Sequence, residues 1–84
     1  MSLDLQSPLQ GTVLIVDVEV GDKISEGQRV ALLESMKMEH EVLATSGGVI
    51  TKVCIEIGQM VAESEKLFSF DIREAPSSTD LLLQ

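Results

Sequence analysis

The two halves of this chain are copies of one pattern. Gly11-Thr12-Val13 recurs as Gly48-Val49-Ile50, Val16-Asp17-Val18-Glu19-Val20-Gly21 as Val53-Cys54-Ile55-Glu56-Ile57-Gly58, and Glu26 as Glu63, each time 37 positions on. A repeat at constant spacing sets the architecture before any local propensity is consulted. Two copies this short do not make a solenoid, which needs at least three; they imply a pseudo-symmetric pair of β units. One copy closes and the next opens at about Lys37. A pseudo-dyad sending position i to i + 37 relates Lys37 to the chain start and to about Glu74, so the lysine is expected at the pole opposite both ends of the folded domain.

Met1 to Gln6 shows no period and reads as a flexible N-terminus, followed by a folded domain over 7–73 and a linker or tail over 74–84. Ser7-Pro8 restricts the backbone before Gly11, the chemistry of a turn into a strand. From Thr12 to Val20 the pattern is a strand, with Val16, Val18 and Val20 alternating with Asp17 and Glu19. Gly21-Asp22 ends it, and Lys23 to Gln28 is a short turn segment with Ile24 as inward anchor before the apolar run Val30 to Leu33. The second half repeats these steps, with Val61 in place of Ile24 and Leu67 to Phe70 in place of Val30 to Leu33. Six to eight short strands without a helical period predict an all-β sandwich or flattened barrel. Met38 to Leu43 is too short for a stable helix and reads as one arm of a hairpin. If that hairpin turns at Met36-Lys37, it lacks the Asn or Gly that tight hairpin turns prefer, and the strain is read as tolerated for function. Beyond Ile72, Arg73 to Ser78 has linker composition; Thr79 to Leu83 carries capping residues but too little chain for a helix, and Pro76 to Gln84 is expected to be mobile.

Composition removes several classes of function. Phe68 and Phe70 are the only rings among 84 residues, so no aromatic platform for nucleic acid exists and the core must be aliphatic. A net charge of −8, from 14 acidic against 6 basic side chains, repels phosphate backbones and anionic lipid, so neither nucleic acid nor membrane is expected as a partner. No apolar run approaches the ~20 residues of a membrane-spanning helix. The one cysteine, Cys54, is the repeat partner of Asp17 and reads as a passive, half-exposed thiol; without a second cysteine it fits a reducing compartment, cytoplasm or an organelle matrix. One histidine and one cysteine cannot assemble a zinc-type cluster, and His40 reads as a solvated or locally hydrogen-bonded imidazole.

What remains is Glu34-Ser35-Met36-Lys37-Met38-Glu39-His40, a lysine between two methionines with carboxylates on both sides. This stretch resembles the Ala-Met-Lys-Met motif of biotinyl domains, the biotin carboxyl carrier modules of acyl-CoA and pyruvate carboxylases. The resemblance runs from about Pro8 to Ile72 and includes Gly11-Thr12-Val13, Val20-Gly21-Asp22, Glu26-Gly27, Gly47-Gly48 and Glu56-Ile57-Gly58. Ser35 stands where the family usually has alanine, a small change that leaves the turn intact, and Leu9-Gln10 precede Gly11 where methionine and often proline are common. No thumb is inserted between strands, so the chain looks more like the propionyl-, methylcrotonyl- or pyruvate-carboxylase type.

The resemblance implies two four-stranded antiparallel sheets, biotin in amide linkage on Lys37, and a carrier that serves a biotin carboxylase and then a carboxyltransferase. It also implies a biotin protein ligase as partner, with Lys37 as attachment site and Met36, Met38, Ser35, Glu34 and Glu39 as the recognition surface. The chemistry agrees. A lysine ammonium in water is overwhelmingly protonated at neutral pH, so a ligase must deprotonate it and present an activated acyl group. The domain is a substrate and carrier, not an enzyme. Methionines flanking a turn lysine are flexible thioethers that suit a contact surface as well as a core. Two other readings stay open: a lipoyl carrier on the same repeat, whose attachment turn resembles Asp-Lys-Ala, and an unmodified barrel-sandwich interaction module.

Overall fold

The computed structural model describes residues 2–72. Eight strands succeed one another: β1 (Ser2–Gln6), β2 (Gly11–Val16), β3 (Lys23–Ile24), β4 (Arg29–Ser35), β5 (Met38–Leu43), β6 (Gly48–Val53), β7 (Met60–Val61) and β8 (Lys66–Asp71). They form two four-stranded antiparallel sheets, β1-β8-β6-β3 and β5-β4-β2-β7. Each strand of one sheet has its 37-residue counterpart at the equivalent place in the other: β1 answers to β5, β8 to β4, β6 to β2 and β3 to β7. Each sheet therefore contains strands from both copies of the repeat.

The connecting turns follow the same symmetry down to single hydrogen bonds. The Glu19 amide donates to the Asp22 carboxylate at 2.9 Å, and the Glu56 amide to the Gln59 side-chain carbonyl at 3.0 Å. The Ser25 amide donates to the Gln28 side chain and the Ala62 amide to the Glu65 carboxylate, both at 2.9 Å. Between sheets, Gly21 N–H donates to the Ile50 carbonyl as Gly58 N–H donates to that of Val13. These amides would otherwise be left unpaired where the strands end, so polar side chains three residues on close the turns.

The core between the sheets is almost wholly aliphatic, with Phe68 and Phe70 fully buried among Val13, Val30, Leu33, Ile50, Val61 and Leu67. Ile24 and Val61 are the buried anchors of the two turn segments, as expected. Glycine is required at two equivalent places. A Cβ on Gly11 would lie 2.6 Å from the Glu34 carbonyl oxygen, and one on Gly48 would meet the Asp71 carbonyl oxygen, so each inner strand leans on its neighbour's backbone at the same point of the repeat.

The structure corrects the sequence reading in two places. Ser2 to Gln6 is not a flexible start: it is β1, paired with β8 from Ser2↔Asp71 to Gln6↔Lys66, with Leu5 in the core and Asp4 accepting a 2.8 Å hydrogen bond from Ser69. It fills the place that β5 fills in the other sheet. The strand read from Thr12 to Val20 ends at Val16, and Val20 is 62% exposed, as is its counterpart Ile57 at 69%. The chain leaves the sheet there because the Glu19–Asp22 turn carries it across to Ile50. The linker and tail assigned to 74–84, together with Arg73, lie outside the described residues.

Candidate functional site

Strands β4 and β5 form a hairpin in which Ser35 pairs directly with Met38, leaving Met36 and Lys37 as a two-residue loop. Both loop residues have positive φ, 54° at Met36 and 65° at Lys37. That is the pattern of a type I′ turn, whose twist matches the strands it joins but whose left-handed backbone normally selects Asn and Gly. Neither is present, so the loop holds two side chains in a backbone region that costs each of them about 1 kcal/mol or more. Cross-strand pairs from Arg29↔Leu43 to Ser35↔Met38 impose that geometry. The base of the lysine is accordingly stiff, while its side chain is exposed.

Around Lys37 the side chains face outward. Met36 is 92% exposed and Met38 61%. Glu34 and Glu39 stand directly opposite one another across the hairpin, an arrangement of like charges that does not favour the strand pairing. Ser35 is half-buried beside Met38, and His40 is half-buried opposite Leu33. All six residues read from the sequence as attachment and recognition sites thus lie on one hairpin tip. Farther down the hairpin, Arg29 forks onto the Asp17 carboxylate at 2.9 and 3.1 Å, with Glu41 at 3.9 Å. The Asp17 carboxylate, and to a smaller extent Glu41, hold this guanidinium still more firmly protonated than usual.

One further residue belongs to the tip. Met60, on β7 and 68% exposed, pairs with Thr12, and both line a shallow open groove of about 500 Å³ with Gln10, Gly11, Glu34, Ser35, Met36 and Lys37. Sequence reasoning passed over Met60, although the repeat offered a signal: its counterpart is Lys23.

The site sits at one pole. From Thr12 beside Glu34, β2 runs away from the hairpin tip to Val16 beside Ala31, and the following turn delivers Asp22 to Ile50, one pair from Asp71. Ser2 and Asp71, where the chain enters and leaves the described fold, face each other at that far end.

Residues 1–70 match the family model described as "Biotin-requiring enzyme". The chain is 43% identical over 63 residues to the "Biotin carboxyl carrier protein of acetyl-CoA carboxylase" of Solanum lycopersicum, covering 75% of this chain and 90% of that one. It is 38% identical over 65 residues to the "Biotin carboxyl carrier protein" of Streptococcus mutans, covering 77% of this chain but only 50% of that protein's length. Among solved structures, a single-chain, multi-domain long-chain acyl-CoA carboxylase superposes with a TM-score of 0.81 at 26% identity, over 98% of this chain and 8% of that one.

Proposed function

The chain belongs to the family of biotin-requiring enzymes, and from that premise we propose that it is a biotin carboxyl carrier with Lys37 as its attachment residue. The observation that carries this reading is the tip itself: an exposed primary amine on a two-residue turn, between two exposed methionines, at the pole away from Ser2 and Asp71. Amide formation needs an amine that an enzyme can enclose, and nothing in the groove beside Lys37 obstructs one. Biotin, once bound, supplies the ureido nitrogen that carries the carboxyl group.

In this reading a biotin protein ligase removes a proton from the Lys37 ammonium, and the Nζ lone pair attacks the carbonyl carbon of biotinyl-adenylate. The C–N amide bond forms as AMP leaves. Met36, Met38, Ser35, Glu34 and Glu39 present the amine to the ligase, and later to a biotin carboxylase and a carboxyltransferase. The arm from the Lys37 Cα to the ring is about eleven bonds, or ~14 Å extended at roughly 1.25 Å of projected length per bond. An arm of that reach does not by itself join two active sites several tens of ångströms apart. Attachment of the domain to its neighbours at the Ser2/Asp71 pole lets the whole sandwich swing and adds its own length to the reach.

The test is intact mass and peptide mapping after treatment with ligase, ATP and biotin. Lys37 is expected to be the only modified residue among Lys23, Lys37, Lys52 and Lys66, and Lys37→Arg to abolish modification without moving the melting temperature, since exposed substitutions usually cost within about 0.5 kcal/mol. A biotinyl group on Lys52, or none after exhaustive treatment, would overturn the reading.

A further inference from the structure

The pseudo-dyad lets each outer face be compared with its own copy. On the sheet that carries Lys37, the register lines up Met60, Thr12, Glu34 and Glu39 in one row, and Ile15, Leu32 and Glu41 in another. The equivalent rows of the other sheet are Lys23, Val49, Asp71 and Ser2, then Lys52, Ser69 and Asp4. Met60 and Ile15 therefore stand where the other face has lysines, and Leu32 where it has a serine bonded to Asp4.

This exchange gives the two faces different characters. The far face balances its acids with Lys23, Lys52 and Lys66, the last 3.9 Å from Asp4. The Lys37 face keeps Glu34, Glu39 and Glu41 but loses the lysines, and its Arg29 is already engaged by Asp17 and Glu41. Leu32 is only 7% exposed yet stands outside the core cluster, so it is covered by neighbours on the outer surface; Ile15, its partner in the same row, is 38% exposed, and Met60, in the other row beside Thr12, 68%. Strand propensity explains an isoleucine at position 15. It does not explain a methionine in place of lysine on the same face. Ile15 and Leu32 in one row and Met60, beside Thr12, in the other thus form a discontinuous apolar strip bordered by Glu34, Glu39 and Glu41, with Met60 and Glu34 at the rim of the Lys37 groove.

We propose that this face is the docking surface for the enzyme that acylates Lys37, and that the matching surface on that enzyme is an apolar patch ringed by lysine and arginine. The occupant follows from charge complementarity and from continuity with the groove around the acceptor amine. Complementary charges steer the encounter, and the desolvated apolar contacts hold it. The inference rests on the reading of Lys37 as the acylated residue.

Ile15→Lys and Met60→Lys install what Lys52 and Lys23 already are at equivalent strand positions, so the fold has a precedent for both. Steady-state biotinylation of the full chain by the ligase, with ATP and biotin saturating, separates KM from kcat. The double variant is expected to raise KM for the chain about tenfold or more, the scale of one desolvated contact, with kcat and melting temperature near wild type. Lys52→Ala on the far face should leave both kinetic constants unchanged, and the wild-type KM should rise with salt. If the lysine pair lowers the melting temperature, Ile15→Thr carries the same test with a smaller rise in KM. A KM within about twofold of wild type in a chain that is modified normally overturns the docking face alone. A wild-type chain that is never biotinylated overturns the reading of Lys37 and this inference with it. Sedimentation that shows a wild-type dimer and a monomeric double variant assigns the strip to self-association, and overturns the proposal as well.

Discussion

Replacing Met36-Lys37 by Asn-Gly should make this protein more stable. Both residues hold positive φ, 54° and 65°, in a region where an L side chain other than Asn or Gly costs about 1–2 kcal/mol. Two such residues give roughly 2–4 kcal/mol of local strain, and the greater freedom of glycine in the unfolded chain returns about 0.5–1 kcal/mol of that. Little else changes, because Met36 is 92% exposed and Lys37 is also exposed, so neither contributes appreciable burial. The net expectation is a gain of about 1–3 kcal/mol, which for a domain of this size raises the melting temperature by roughly 5–20 °C. Circular dichroism melts of wild type, Met36→Asn, Lys37→Gly and the pair measure it. Met36→Asn alone keeps the Lys37 amine; it is expected to be the more stable protein and, on the proposed reading of Lys37 as the attachment residue, the poorer ligase substrate. A double variant that melts at or below the wild-type temperature would refute the strain argument, and would mean that the hairpin accommodates these residues at no cost.

Two further outcomes are expected from the repeat. Gly11→Ala drives a Cβ to 2.6 Å from the Glu34 carbonyl oxygen, and backbone cannot yield as a side chain would; the loss should be about 1–3 kcal/mol, read as a lower urea midpoint at unchanged slope. Ser64 holds φ at 72° where its repeat partner Gly27 holds 85°, so Ser64→Gly should stabilise by a few tenths of a kcal/mol up to about 1, and a lowered midpoint would contradict this.

Much of this architecture was legible because the repeat is nearly ideal. Gly11 and Gly48 are required by the same backbone approach, and Ile24 and Val61 fill the same hollow, so an offset found in the letters is an offset in space. The hairpin at Met36-Lys37 followed from where one copy ends, and the structure adds what letters cannot carry, the sign of φ. What was missed lies where the copies diverge. Ser2 to Gln6 and its counterpart Glu39 to Leu43 share no identical position; both are edge strands paired on one side only, so fewer neighbours constrain their residues. The alternation through Val20 and Ile57 was carried past the end of the sheet because valine and isoleucine look the same in a strand and in a turn that follows one. Met60 was overlooked for a different reason: its meaning comes from which sheet it flanks, a relation across β7 and β2 that no local window contains.

The exchange of strands between copies has a consequence for how the chain folds. Neither half can complete a sheet alone, because β1 and β3 find their neighbours only in β8 and β6, and β7 only in β2. Apart from the two arms of the Lys37 hairpin and the equivalent β2–β4 and β6–β8 pairs, contacts must wait for distant parts of the chain to meet, a topology that folds slowly. A cut at the Lys37 turn would then leave two fragments that each keep one strand pair, β2–β4 or β6–β8, but complete neither sheet, and that recover the whole structure only by finding one another.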